Sequence, residues 1–174
     1  TVVDARGKTV LPGFVDAHTH LIFAGSREEE WEMRLRGATY QEITAAGGGI
    51  MSTVRATRAA SLPDLVDLGH QRLNTMLRYG TTTAEAKSGY GLTATEEIKQ
   101  LEAIRTLGAK HPVDLVPTFL GAHLVPAEYR GRPDEYVDLV VEEMLPRVAR
   151  NPGLARFADV FCDEGAFTLD QARR

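Results

Sequence analysis

The residues best suited to chemistry stand at the ends of apolar runs. Asp16-Ala17-His18-Thr19-His20 closes the run 11–21. Side chains alternate along a strand with a period of two, so His18 and His20 are expected on one side of it, where two imidazoles can share a metal ion. That reading outweighs two solvated histidines, because the pair ends a strand whose neighbours are apolar. His123 ends another run in Gly121-Ala122-His123. It can bond a ligand, move a proton near neutral pH, serve as a third metal ligand, or sit in a core. Tyr90 stands in Ser88-Gly89-Tyr90-Gly91. The glycines let backbone approach a ligand there, although a rim tyrosine is ordinarily a packing residue. Arg27 precedes Glu28, Glu29 and Glu30, and on that ground alone a solvated ion pair is expected. Tyr40 is a further pocket candidate, whereas His70 on a helix and His111 in a loop are expected at the surface.

These residues need strands and loops to hold them. Runs with strand character span 11–21, 80–87, 113–124 and 157–162, each bounded by Pro or Gly turns. Helical segments alternate with them. Ser61 with Asp64, Thr93 with Glu96, and Thr168 with Gln171 pair an N-cap hydroxyl with an acid or amide three residues on. Gly80 and Gly108 are expected to stop the first two helices. Pro133 opens another, in which Val137, Val140, Val141, Met144, Leu145 and Val148 share a face, and Asn151-Pro152 ends it. Four strand–helix units follow, hence a parallel sheet, either open and doubly wound or part of a closed barrel. No Gly-x-Gly-x-x-Gly follows a strand, which argues against a dinucleotide site. Gly47-Gly48-Gly49 is expected in a flexible loop, and 24–58 reads as an unusually long binding loop or lid.

Composition narrows the class further. With 43% hydrophobic and 25% charged residues, the 174-residue chain has the make-up of a folded globular protein. Its net charge of -4 and lack of a basic stripe leave no nucleic-acid partner expected. No apolar stretch reaches the ~18 residues of a membrane span. The single Cys162 excludes an internal disulfide, and a reducing, cytoplasmic setting is expected. A complete (β/α)8 barrel needs ~250 residues, so the 174-residue chain is too short for one. The start at Thr1 without methionine fits an internal piece.

The stretch LPGFVDAHTHL resembles the first barrel strand of the amidohydrolase superfamily. The blocks FAGSREEEWEMRLRGATYQEI, KSGYGL, TFLGAHLVPAEY and DVFCDEGAF, in this order, resemble the imidazolonepropionase family within it. That resemblance covers nearly the whole chain. It implies a (β/α)8 barrel of the metal-dependent amidohydrolase type, here with residues 11–174 as its N-terminal half. Residues 1–10 would end a small β-sandwich domain. It also implies a homodimer and one zinc or iron ion per active site. His18 and His20 would be metal ligands, and Arg27, Tyr90 and His123 contacts to 4-imidazolone-5-propanoate. Metal-assisted hydrolysis of that ring would yield N-formimino-L-glutamate. A guanidinium holds a carboxylate through two parallel hydrogen bonds, which suits Arg27 to the propionate. The remaining ligands and the general base would come from later strands, so no catalytic base is assigned here. Asp163 stands where glutamate is usual in the last block, and Glu164 beside it could compensate, so neither acid is given a role. A purine-type aminohydrolase and a non-catalytic barrel relative are the alternatives; Arg27 and KSGYGL oppose the former, His18 and His20 the latter.

Overall fold

The computed structural model describes residues 2–174, apart from the side chains of Tyr40, Thr44 and Ala45. Four strands are present, β1 (Phe14–Asp16), β2 (Thr81–Lys87), β3 (Asp114–Ala122) and β4 (Phe157–Val160). They form one sheet in the order β1-β2-β3-β4, and every neighbouring pair is parallel. Consecutive parallel strands laid side by side are the arrangement of part of a barrel, not of a doubly wound sheet, whose strand order reverses. β1 is shorter than the run 11–21, but the chain stays extended beyond it, since Lys87 N–H donates to the Thr19 carbonyl at 2.9 Å.

The connections bury apolar faces against one side of the sheet. The helix α4 (Leu62–Arg78) opens at Ser61 with a complete capping box to Asp64, and its stripe carries the buried Leu65 and Leu73. Gly80 closes the connection to β2 at φ 93°, a conformation costly for any side chain. The helix α5 (Ala94–Gly108) is capped by Thr93, whose hydroxyl accepts from Glu96 N–H. Gly108 does not stop α5: it is still helical, and Ala109, in the right-handed region, forms the end. Gly69 lets α4 and α5 close, because a Cβ there would stand 2.5 Å from Leu107 Cδ1 and 2.7 Å from Ile22 Cδ1. Ala84 and Ala86 of β2, fully buried, face this layer.

The helix begun at Pro133 is interrupted. The helix α6 (Pro133–Asp138) runs into a π-helical turn, Leu139–Met144, and resumes as α7 (Leu145–Ala149). Pro146 gives the reason: its ring opposes the carbonyl four residues back, and the widened turn, with Leu145 N–H on the Val140 carbonyl, avoids the clash. The last helix, α8 (Leu169–Arg173), begins at Thr168 with the expected box to Gln171.

The segment 24–58 is not an open loop. It folds into α1 (Glu28–Leu35), α2 (Tyr40–Ala45) and α3 (Ile50–Ala59). Ile43 and Val54 anchor it, exposed by only 2% and 0%. The three glycines make a tight turn between α2 and α3, where a Cβ on Gly48 would lie 2.8 Å from Ile43 Cγ2. His70 is exposed as expected, but His111 is buried, because its Nδ1 accepts from Val113 N–H at 3.2 Å and its ring abuts His70. Among the described residues no helix is long and apolar enough to cross a membrane.

Candidate functional site

Three histidine and tyrosine side chains from separate segments converge beyond the C-terminal ends of β1, β2 and β3. The ring of His20 lies 4.8 Å from that of His123 and 5.1 Å from that of Tyr90, and His18 is 5.8 Å from His20. The extended chain after β1 holds the histidine pair in place, with Thr19 turned the other way to donate its hydroxyl to the Glu85 carbonyl. His18 is exposed and His20 half-buried. Burial, with His123 and His18 nearby, pushes the His20 imidazole down to about 4, so the ring is neutral at physiological pH. Its buried Nδ1 has no hydrogen-bond partner among the described residues. A buried lone pair without a donor is costly, and a cation is one way to satisfy it.

A divalent metal therefore fits His18 and His20, as borderline-soft nitrogen donors for zinc or iron. Among the described residues no group of three or more His, Cys, Asp or Glu side chains forms a metal cluster. His123 does not complete one. Its ring stacks on His20 at 14° between planes, and in-plane lone pairs of parallel rings do not converge on one ion at ~2.0–2.1 Å.

His123 is oriented by the neighbouring loop. Its Nδ1 lies 2.8 Å from the Gly89 carbonyl, which can only accept, so Nδ1 carries the hydrogen and Nε2 presents a lone pair. Burial lowers its basicity, which keeps that form neutral. Burial likewise raises the Tyr90 phenol, so it remains a hydrogen-bond donor.

Arg27 and Tyr90 line one cleft of about 410 Å³, together with Phe23, Ser26, Thr53 and Arg72. Arg27 sits immediately before α1 and pairs with Glu30 only loosely, Nε–Oε2 3.9 Å. The other oxygen of Glu30 is committed to the Gly49 N–H at 2.9 Å. A loosely held, half-exposed guanidinium on the wall of a cleft is free to meet an anionic ligand. Asp163 and Glu164 are both exposed, and the Glu164 N–H donates to Asp163 Oδ1. The side chain of Tyr40 lies outside the described residues.

Several supporting residues escape a reading for reactive motifs. Arg72 of α4 donates to the Leu21 and Phe23 carbonyls at 2.9 and 2.7 Å and covers the Phe23 ring at 3.6 Å, bracing the cleft wall. Lys87 Nζ meets Glu85 Oε1 at 3.0 Å and Asp159 Oδ2 at 2.8 Å. Burial alone would depress this ammonium, yet the two carboxylates raise it above its ordinary value. Glu97 is fully buried, and Gln100 beside it also. Burial pushes the Glu97 carboxyl up, against hydrogen bonds from Ser88 and three backbone amides that favour the carboxylate. The signal for these two was their position: a helical wheel puts 97, 100, 101 and 104 on one face, so two polar residues fall in the buried stripe of α5.

Residues 1–70 match the family model described as the amidohydrolase family. Over 173 residues, 99% of the chain, it is 63% identical to the imidazolonepropionase of Symbiobacterium thermophilum and 61% to that of Geobacillus kaustophilus. Identity to the imidazolonepropionase of Myxococcus xanthus is 60% over the same span. The chain covers about 41% of the length of these curated relatives.

Proposed function

We propose that this chain forms the first four strand–helix units of an amidohydrolase barrel that opens the ring of 4-imidazolone-5-propanoate, giving N-formimino-L-glutamate. The observation that carries the reading is the convergence of His20, His123 and Tyr90 beside the Arg27 cleft, in a chain matching imidazolonepropionases over 99% of its length. Residues 1–10 then belong to the end of a small sandwich domain, and the complete protein is a cytoplasmic homodimer.

The roles follow from the donors and acceptors present. Arg27 takes the propionate through its planar fork, a charge-assisted contact of about 1.5–3 kcal/mol. Its place on the α1 side of the cleft leaves the ring to lie toward Tyr90 and His123. Nε2 of His123, as an acceptor, suits a ring N–H and not the ring carbonyl. The Tyr90 hydroxyl supplies a donor. His18 and His20 would hold the zinc or iron, which when bound supplies Lewis acidity that favours ionisation of water near neutral pH. Water adds to the ring carbonyl carbon, the amide C–N bond breaks, and the departing nitrogen takes up a proton. The base and acid for those proton transfers are not among the residues assigned here.

Hydrolysis by the complete protein, followed as loss of imidazolone absorbance, tests this with Arg27→Ala alongside. Turnover with KM raised about 10–100-fold in the variant is expected, from the loss of one charge-assisted contact. No turnover by the metal-loaded complete protein would overturn the reading and favour a purine-type aminohydrolase.

A further inference from the structure

Four successive backbone amides, those of residues 89 to 92, point away from the site and into α5. Gly89 N–H donates to Glu97 Oε2 at 2.9 Å, while Gly91 and Leu92 donate to Oε1 at 2.8 and 2.7 Å. Tyr90 N–H goes to Gln100 Oε1 at 3.0 Å, and Gln100 Nε2 in turn holds the Ile22 carbonyl at 2.7 Å. No water can replace these partners readily, since both side chains are fully buried. Gly89 adopts φ 113°, and Leu92 is the single non-glycine residue with positive φ among those described, at 56°. Such backbone persists only where its surroundings impose it.

The amide bonds have a consequence on the other side of the loop. The Gly89 carbonyl shares its peptide plane with the Tyr90 N–H that Gln100 holds, and the peptides on either side of that plane are held through Gly89 and Gly91 N–H by Glu97; so fixed, the carbonyl meets Nδ1 of His123 at 2.8 Å. We propose that Glu97 is a positioning residue of this site: by holding the amides of Gly89, Gly91 and Leu92 its carboxylate fixes the loop in which the Gly89 carbonyl keeps His123 as the Nδ1–H tautomer, with Nε2 offered to the substrate. The proposal rests on the reading of His123 as a substrate contact. Gln100 has the parallel task for Tyr90, tying its backbone to the strand extension that carries His20. Neither side chain touches substrate, so each acts through the loop.

Glu97→Gln separates this role from simple packing. A glutamine is nearly isosteric and can keep its oxygen toward Gly91 and Leu92. Its amide nitrogen then faces the Gly89 N–H, two donors together, so the lesion falls on the residue that aims His123. The complete protein is labelled with 15N-histidine, and His123 is assigned by its absence in His123→Gln. The expected result is the Nδ1–H tautomer in the unsubstituted protein and its loss, or a mixture with Nε2–H, in Glu97→Gln. Metal content should be unchanged and kcat should fall about 10–100-fold, the size expected for a misplaced contact group, with a smaller change in KM. Should Glu97→Gln unfold, Glu97→Asp keeps the charge but is too short to hold Gly89 and Gly91 together, and it is read the same way.

An Nε2–H tautomer in the unsubstituted protein would overturn the proposal. So would wild-type tautomer and kinetics in the folded variant. Absence of imidazolonepropanoate hydrolysis by the unsubstituted protein would instead overturn the function reading, while the tautomer comparison would still decide the role of Glu97.

Discussion

Lys87 on β2 reaches past β3 to Asp159 on β4, its Nζ 2.8 Å from Oδ2. Strands two apart in a sheet stand ~9–10 Å from each other, a gap that the long Lys87 side chain crosses over β3. Glu85 accepts from the same ammonium, and Thr118 on the intervening strand donates its hydroxyl to Glu85 at 2.7 Å. One cation thus ties three strands on the side opposite the helices. Lys87→Met should leave Glu85, whose side chain is only 18% exposed, without its countercharge. The expected loss is at the low end of the ~3–5 kcal/mol for breaking a buried pair, because Asp159 is 42% exposed and partly solvated. Urea unfolding of the complete protein measures it, and an unchanged midpoint would show that the network contributes little.

Gly89 tolerates no side chain. A Cβ there would stand 2.8 Å from His123 Nδ1 and 3.1 Å from the Leu120 carbonyl, at a φ of 113° that disfavours L residues. Gly89→Ala is therefore expected to displace the His123 ring and to destabilise the fold by ~1–3 kcal/mol. Activity should drop by more than the stability loss explains; an active Gly89→Ala enzyme would contradict the placement of His123.

In the metal-free protein His20 links stability to pH. Its folded value of about 4 lies below the ordinary 6.5, so between those values the unfolded chain binds more protons than the folded one. The contribution of neutral His20 is complete above pH 6.5 and is lost as pH falls toward 4, by at most about 1.4 kcal/mol per unit. His20→Gln removes this dependence. Chelator-treated protein and variant should differ in the slope of unfolding free energy across that window, and parallel slopes would refute the assignment.

Metal retention should separate the three histidines. His18→Ala and His20→Ala are each expected to reduce zinc or iron retained by the complete protein after dialysis to well below one ion, since a lost ligand costs more than a lost outer contact. His123→Ala should retain near-normal metal while losing most of its turnover. Elemental analysis decides it, and metal loss in His123→Ala would make that residue a ligand despite its stacked ring.

Much of this protein is encoded in short-range chemistry. The caps at Ser61, Thr93 and Thr168, the Gly80 turn and the four strands were legible because each depends on residues three or four positions apart. The His18 and His20 pair was legible for the same reason, since strand alternation alone puts both on one side. Gly108, the helices within 24–58 and the burial of His111 were not, because their outcome turns on distant partners such as the buried Val54, Thr57 at the Ala24 N–H, and Asn74 within reach of His111. Only the tertiary structure decided that Glu97 and Gln100 turn four loop amides, that Lys87 spans two strands, and that His123 presents Nε2. Those facts rest on contacts between segments remote in the chain, and local periodicity carries no information about which segments meet.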